Sequence, residues 1–336
     1  MTLILTQADV RALLSMETCI ELAEQSLLSL ARGTAQNPLR SALWKPDRSG
    51  LLGLMPGYDE EAGALGLKVV GVFPGNHGGP LDSHQGLVAL FDTENGSPLA
   101  ILEASEITAQ RTAAVSALAT RILAPEGARE LALLGSGVQA RTHLTAMLLA
   151  RPFERVRVYS PKREHRERFA EQTSAWHGLE VESVDSPQAA VAQADVICTL
   201  TSSPKPVLLR EWIHGGVHIN AAGACTPKAR ELNTPLVQAA RLFVDRRESA
   251  LNEAGDFLIP QAEGVLGPEH ILGELGELLL GEIPGRRNAQ EITLFKSLGL
   301  AVEDLRCASY LVQEARRRGL GVEVDLSGRV APDAQA

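Results

Sequence analysis

Two scarcities in this chain each remove a class of function. Aromatic residues make up 4% of the 336, too few for the stacking platform that single-stranded nucleic acid requires. A formal net charge of −9 excludes the broad basic face that a nucleic acid or an anionic membrane would need. The four cysteines, Cys19, Cys198, Cys225 and Cys307, are scattered with no CxxC pair, so neither a disulfide framework nor a structural zinc site is expected, and no bound metal. No apolar run approaches the ~18 residues of a membrane span. The first residues lack both the basic start and the apolar segment of a signal peptide. The expectation is a cytoplasmic protein that acts on small molecules and is long enough for two domains.

The hydrophobic pattern divides the chain. Thr6 with Asp9 forms a capping-box pattern, Ser15 opens a segment with Ile20, Ala23, Leu27 and Leu30 on one face, and Gly33 closes it. The opening therefore reads as helical. From Pro38 to Leu102, runs 51–55, 67–72, 86–91 and 99–103 read as strands of a mostly antiparallel sheet, with a hairpin turn at 93–96. An alanine-rich helix follows over 108–124, stopped by Pro125. Strand-like runs at 130–134, 155–160, 179–184, 195–201, 218–222 and 241–245 then alternate with helical segments, as in a parallel sheet covered on both faces. The last strong period, 291–318, reads as one helix of about 28 residues, or ~42 Å, long enough to cross between domains. From about Pro332 the chain reads as a loose tail.

The run 131–140, Leu-Ala-Leu-Leu-Gly-Ser-Gly-Val-Gln-Ala, is an apolar strand, a GxGxxA turn and a helix start. Gly135 permits the tight turn, Gly137 lets backbone approach a pyrophosphate, and Ala140 allows close helix–strand packing. The N–H groups of Ser136, Val138 and Gln139 at the helix start are then available to phosphate. The alternative is a glycine turn that serves only packing. An NAD enzyme usually carries an acidic residue at the end of the second strand. Here the run is Tyr-Ser-Pro-Lys-Arg over 159–163, and residues 151–168 hold seven Lys/Arg against three Glu. Ser160, Lys162 and Arg163 would suit a 2′-phosphate, so NADP is the expected cofactor, with NAD as the alternative.

Three basic residues sit oddly in the other half. Lys68 lies inside an apolar run, Arg111 lies in an alanine-rich helix start, and Arg40 follows Pro38-Leu39. Buried lysine is costly unless paired or used. Each alone reads as a structural ion-pair residue; together, beside a dinucleotide domain, they point to an anionic substrate, most simply a carboxylate. His84 is a second candidate proton donor or a structural histidine. His214 and His218 flank Gly215-Gly216 with poor geometry for a metal pair.

With these residues on the page, the chain resembles the ornithine cyclodeaminase/μ-crystallin family over nearly its whole length. The matching runs are 52–56 with 67–69, 107–114, 135–140, 218–223, 245–250 with 253–256, and 293–299, in that order. The resemblance implies an α/β fold: a Rossmann NAD(P)-binding domain, 121–302, and a discontinuous α+β substrate-binding and dimerisation domain, 1–120 with 303–330. It also implies a homodimer. It places Arg40, Lys68 and Arg111 on the substrate carboxylate, with the lysine near the reacting carbon–nitrogen bond and Met55 lining the same pocket. Thr112, the loop 135–140, Thr201, Ser202, Lys296, Ser297 and Gly299 would contact the dinucleotide.

One departure matters. Cyclodeaminases of the family carry an aspartate soon after the His-Ile-Asn-Ala strand; here Cys225 takes that place, and a thiol offers no permanent negative charge to a substrate ammonium. The resemblance therefore points to an NAD(P)H-dependent reductase of 2-imino acids, cyclic like Δ1-pyrroline-2-carboxylate or open-chain. In that reading, Lys68 polarises or protonates the nitrogen. A lyase with bound NAD, or a dinucleotide-dependent binding protein, are the alternatives.

Overall fold

The computed structural model describes residues 1–76, 79–326 and 328. The chain opens with strand β1 (Thr2–Leu5), helices α1 (Gln7–Leu13) and α2 (Met16–Arg32), and strands β2 (Ala35–Gln36) and β3 (Ser41–Trp44). Strands β4 (Leu51–Asp59), β5 (Ala64–Val72), β6 (His84–Phe91) and β7 (Pro98–Glu103) lead into helix α3 (Ala104–Leu123). An alternation follows: β8 (Glu130–Leu134), α4 (Val138–Ala150), β9 (Arg155–Tyr159), α5 (Arg163–His177), β10 (Val181–Ser183), α6 (Pro187–Val191), β11 (Val196–Thr199) and β12 (His218–Ala221). It continues through α7 (Thr234–Ala239), β13 (Arg241–Val244), α8 (Arg247–Glu253), α9 (Gly255–Ala262), β14 (Ile271–Glu274), α10 (Leu275–Leu279) and β15 (Thr293–Lys296). Helix α11 (Ala301–Arg318) and strand β16 (Val322–Val324) close the described chain. Two compact units result, Met1–Thr108 with Leu300–Ala336, and Ala109–Gly299, and the first division falls within α3.

In the first unit, the described strands form one sheet in the order β16-β1-β7-β6-β5-β4-β2, with β3 also paired to β4. Every pairing is antiparallel except β1 with β7. Helix α11 lies on one face, against α2, β4, β5 and β6. Its buried stripe runs Ala301, Asp304, Ala308, Leu311, Ala315, at three- and four-residue steps. Gly57 leaves room for this helix: a Cβ there would stand 3.1 Å from Leu305 and 3.2 Å from Ala301. Buried Arg306 pins α11 in place, with both oxygens of Asp59 at 2.8 Å and with Gln25 and Ser29 on α2. On the opposite face Leu43, Leu52, Leu65 and Leu87 are exposed.

The helical opening is present with its expected caps. Thr6 and Asp9 form the capping box, Ser15 accepts from Thr18 N–H, and Gly33 ends α2 at φ 77°. The hairpin turn over 93–96 is also present, with Asp92 Oδ1 accepting from the N–H groups of Glu94 and Asn95. The first residues are a strand rather than helix, because Thr2–Leu5 pairs on both sides, and a four-residue apolar run carries no period of its own.

The second unit holds a wholly parallel sheet in the order β10-β9-β8-β11-β12-β15-β13-β14. β11, β12 and β15 are buried at every position, as strands covered on both faces must be. The expected single helix over 291–318 is corrected here. Residues Thr293–Lys296 are a strand between β12 and β13, and the helix begins only at Ala301. Gly299, at φ 78°, breaks the path; the three- and four-residue spacing of Leu298, Val302 and Leu305 ran across that break. The helix does not cross between units, since all of it belongs to the first. The expected tail from Pro332 lies outside the described residues, as do His77 and Gly78. Among the described residues no helix is long and apolar enough to cross a membrane.

Candidate active site

The glycine loop stands where the order of the second sheet reverses. β8 and β11 are neighbours, while the strands between them in sequence lie on the far side of β8, and ligands of open parallel sheets bind in the crevice this creates. Gly135 turns out of β8 at φ 127°, its N–H donating to the Tyr159 carbonyl at 2.8 Å. A Cβ there would stand 2.6 Å from the Leu200 carbonyl oxygen, so the fold itself demands glycine. Gly137 differs. It caps α4 at φ −87°, a value any residue adopts, and a Cβ would meet nothing within 4 Å. Space kept clear above a helix N-terminus is what a bound pyrophosphate requires, so the residues present fit a dinucleotide. Beside Gly137, Val138 is exposed and Gln139 half-buried. A cavity of about 330 Å³ adjoins the loop, lined by Leu134, Tyr159, Pro161, Thr201, Ser202 and Val207 among others.

At the end of β9, buried Ser160 receives a hydrogen bond from Ser136 Oγ at 2.9 Å, which ties the second strand to the glycine loop. Arg166 supports this turn from below, donating to the Ser160 carbonyl and pairing with Asp185. Lys162 is exposed and makes no ion pair among the described residues. Arg163 is exposed and paired with Glu167 at 2.7 Å, a contact worth little in water.

Further along the same unit, Asp245 Oδ2 gathers the turn after β15, accepting from Leu298 N–H at 2.5 Å and Gly299 N–H at 2.7 Å, with Ser297 Oγ at 3.5 Å. A Cβ on Gly299 would fall on the guanidinium of Arg111. Arg111 is buried on α3, next to buried Thr112. Lys296 is fully buried; its Nζ is 3.2 Å from Asp256 and donates to the Ala221 carbonyl at 3.1 Å. Cys225 is half-buried, its thiol donating to the Ala222 carbonyl.

In the first unit, register sets a row across four strands: Met55, Lys68, Val88 and Leu102 stand side by side on the face that α11 covers. All four are buried, and Lys68 is the one charged member. Its Nζ lies 2.6 Å from Asp304 of α11 and donates to Thr108 Oγ1 at 3.3 Å. Arg40 directly precedes β3, whose Ser41 stands opposite Leu54, the neighbour of Met55. His84 is more distant: exposed, it pairs with Val72, four residues along β5 from Lys68, or roughly 13 Å at strand rise. Asp304 and Thr108 escaped the sequence reading. A signal existed for the first, an acidic residue at a stripe position of an amphipathic helix.

Fold and site together define an α/β protein with a Rossmann dinucleotide-binding unit and a second unit that buries a lysine in an apolar row. The family model described as ornithine cyclodeaminase/mu-crystallin matches residues 1–319, and the chain belongs to that family. Mouse ketimine reductase mu-crystallin is 42% identical over 276 residues, 82% of this chain and 84% of the relative. A Δ1-pyrroline-2-carboxylate reductase of Bacillus cereus is 35% identical over 324 residues, 96% of this chain and 99% of the relative. Among solved structures, the Thermococcus litoralis Δ1-pyrroline-2-carboxylate reductase in complex with NADH and L-proline superposes with a TM-score of 0.94 at 39% identity, covering 96% of this chain and 100% of that one.

Proposed function

We propose that this chain is an NAD(P)H-dependent reductase of 2-imino acids, taking Δ1-pyrroline-2-carboxylate to L-proline or an open-chain imino acid to its L-amino acid. It is an oxidoreductase of the C=N/CH–NH class, as its relatives are named. The observation that carries the reading is the fully buried Lys68, held at 2.6 Å from Asp304 in a row of apolar side chains. A lysine desolvated in this way is kept for an anion or a proton transfer.

The dinucleotide, when bound, supplies the hydride that reduces the C=N carbon. The chain's residues do the rest. Arg40, Lys68 and Arg111 hold the substrate carboxylate, and Met55 gives the pocket an apolar wall. Lys68 Nζ holds the proton that polarises the imine nitrogen, and the Asp304 carboxylate stabilises the ammonium as it does so. His84 is assigned to the outer rim of the substrate pocket. Thr112, the loop of Gly135, Ser136, Gly137, Val138 and Gln139, Thr201, Ser202, Lys296, Ser297 and Gly299 hold or support the cofactor. NADP is favoured over NAD because Ser160, Lys162 and Arg163 offer a hydroxyl and two cations where an NAD site usually offers a carboxylate.

We further propose a cytoplasmic homodimer. Its support is the apolar outer face of the first unit's sheet, where Leu43, Leu52, Leu65 and Leu87 are all exposed. Light scattering on Leu87→Glu should give a monomer where the unaltered protein gives a dimer.

The deciding experiment follows the absorbance of reduced nicotinamide, with NADPH and then NADH. The substrates are Δ1-pyrroline-2-carboxylate and, separately, pyruvate, glyoxylate or oxaloacetate with ammonia. Oxidation of NADPH by the cyclic imine supports the proposal as written. Turnover only with keto acid and ammonia moves it to open-chain imines. Silence with every imine, together with ammonia release from ornithine, overturns it in favour of the lyase.

A further inference from the structure

A chain of buried charge, Glu231, Asp256 and Lys296, lies at the strand ends of the second unit, and its two carboxylates have no role in the steps above. Glu231 is fully buried at the ends of β11 and β12. Its Oε1 accepts from Thr201 N–H and Thr201 Oγ1, both at 2.7 Å. Its Oε2 accepts from Gly223 N–H and Thr199 Oγ1, both at 2.8 Å. Asp256 fixes Glu231 in turn, with Oδ1 accepting from the N–H groups of Glu231 at 2.8 Å and Leu232 at 3.0 Å. Its Oδ2 pairs with Lys296 Nζ, which reaches on to the Ala221 carbonyl at the end of β12. The fit leaves no slack: a Cβ on Gly223 would collide with Thr201 and with the Glu231 carboxylate.

These bonds join two loops that sequence keeps apart. Thr201 and Ser202 follow β11 and line the cavity beside the glycine loop. Gly223 follows β12 and leads to Cys225. In a sheet of this order the adenosine half of a dinucleotide lies over β8, β9 and β10, so β11 and β12 carry the nicotinamide half. Lys296 directly precedes the turn 297–299, whose Gly299 packs on Arg111, so the chain of charge anchors the strand end from which that turn starts.

We propose that Glu231 is a positioning residue: its carboxylate clasps the loop after β11 to the loop after β12 and so sets the pocket that holds the nicotinamide half of the cofactor. The inference rests on the cofactor reading above. The chemistry requires a carboxylate, which accepts on both oxygens. Glutamine has the same shape, yet in either orientation its amide –NH₂ must face a backbone N–H, that of Thr201 or that of Gly223. One of the two loops is then released. Aspartate is one methylene short of spanning both.

The test measures binding of NADPH and NADH by fluorescence, alongside thermal unfolding, in the full chain. For whichever dinucleotide binds the unaltered protein more tightly, Glu231→Gln is expected to raise Kd at least tenfold. Thr201→Val, which keeps the side chain's size and removes one of the two bonds at Oε1, is expected to raise it several-fold. A lowered Tm with unaltered Kd in both variants would make Glu231 a fold-stabilising group and overturn the proposal. If Glu231→Gln does not fold, Thr199→Val decides alone, since it removes a bond at Oε2 from a buried strand residue that takes no part in the cofactor site. Gly137→Asp separates the two layers of inference. If it abolishes binding while Glu231→Gln and Thr201→Val leave Kd unchanged, only the clasp fails. If Gly137→Asp also binds normally, the cofactor reading fails with it.

Discussion

The two glycines of the loop after β8 should fail in opposite ways when substituted, because the fold needs one and a ligand needs the other. Gly135 stands at φ 127°, where L-residues are strained by about 1–3 kcal/mol. Its Cβ would also press on the Leu200 carbonyl oxygen at 2.6 Å, an overpacking of the kind that costs a further ~1–3 kcal/mol. Gly135→Ala should therefore destabilise the protein by roughly 2–6 kcal/mol, a large share of the ~5–15 kcal/mol that holds most domains folded. Gly137 is at φ −87° and ψ −162°, with open space where its Cβ would be. Gly137→Ala should leave stability within about 0.5 kcal/mol of the unaltered protein, or raise it slightly by stiffening the unfolded chain. Gly137→Asp should do the same to the fold while placing a carboxylate where the pyrophosphate approaches. Dinucleotide affinity should then fall at least tenfold, or about 1.4 kcal/mol. Denaturant melts and a fluorescence titration of NADPH on the three variants read both quantities. The reasoning is refuted if Gly137→Asp binds dinucleotide normally, or if Gly137→Ala destabilises as much as Gly135→Ala.

Other perturbations test the remaining parts. Lys68→Met removes one partner of a buried ion pair, so it should cost about 3–5 kcal/mol of stability. It should also lower turnover by about 10²–10⁴; a parallel loss of cofactor affinity would count against the proton role. Gly299→Ala forces the guanidinium of Arg111 aside, so KM for the imino acid should rise tenfold or more; an unchanged KM would remove Arg111 from the carboxylate site. Burial holds His143 down at about 4 and His218 at about 3, below the ~6.5 of the unfolded chain. Both therefore stay neutral when folded, while the unfolded chain takes up protons as pH falls below ~6.5. Stability is present above that pH and lost on acidification, by about 2 kcal/mol for each histidine between pH 7 and 5. Urea midpoints across that range check it, and a flat profile would contradict the burial of these rings.

What could be read from the sequence was whatever depends on near neighbours. The caps at Thr6, Ser15 and Gly33 are contacts within a few residues, and the chain spells them out. The glycine loop is equally local. The reading went wrong where a partner distant in sequence decides the conformation. Thr2–Leu5 is a strand because β7 and β16 flank it, and Thr293–Lys296 is a strand because β12 and β13 leave a place between them. Both runs are four residues long, too short for helical and extended periods to be told apart. Asp304 shows in the sequence only as an acidic residue on an apolar stripe; its meaning lies in Lys68, on a strand more than 200 positions earlier.

The two buried lysines show why residue type and burial alone do not assign a role. Lys68 and Lys296 are each sealed from solvent and each paired with one aspartate. For Lys296 the surroundings account for the charge: Asp256 is held by two backbone N–H groups, and the ammonium donates to a carbonyl at a strand end. That chain of side chains ties the backbone at Glu231 and Leu232 to the backbone at the end of β12, which is how a structural charge justifies its desolvation. Lys68 stands in a different setting. Its row is Met55, Val88 and Leu102, none of which offers a hydrogen bond of ordinary strength, and its named partners, Asp304 and Thr108, belong to two separate helices. Exchanging the pair for hydrophobic residues of similar volume would cost a purely structural site little or nothing. The reductase proposed above could not make that exchange, because in it the Lys68 ammonium holds a carboxylate or gives up a proton. Leucine at both Lys68 and Asp304 should thus leave a folded protein that binds dinucleotide and reduces nothing. The corresponding exchange at Lys296 and Asp256 should release the loops that Glu231 ties and lose the dinucleotide itself.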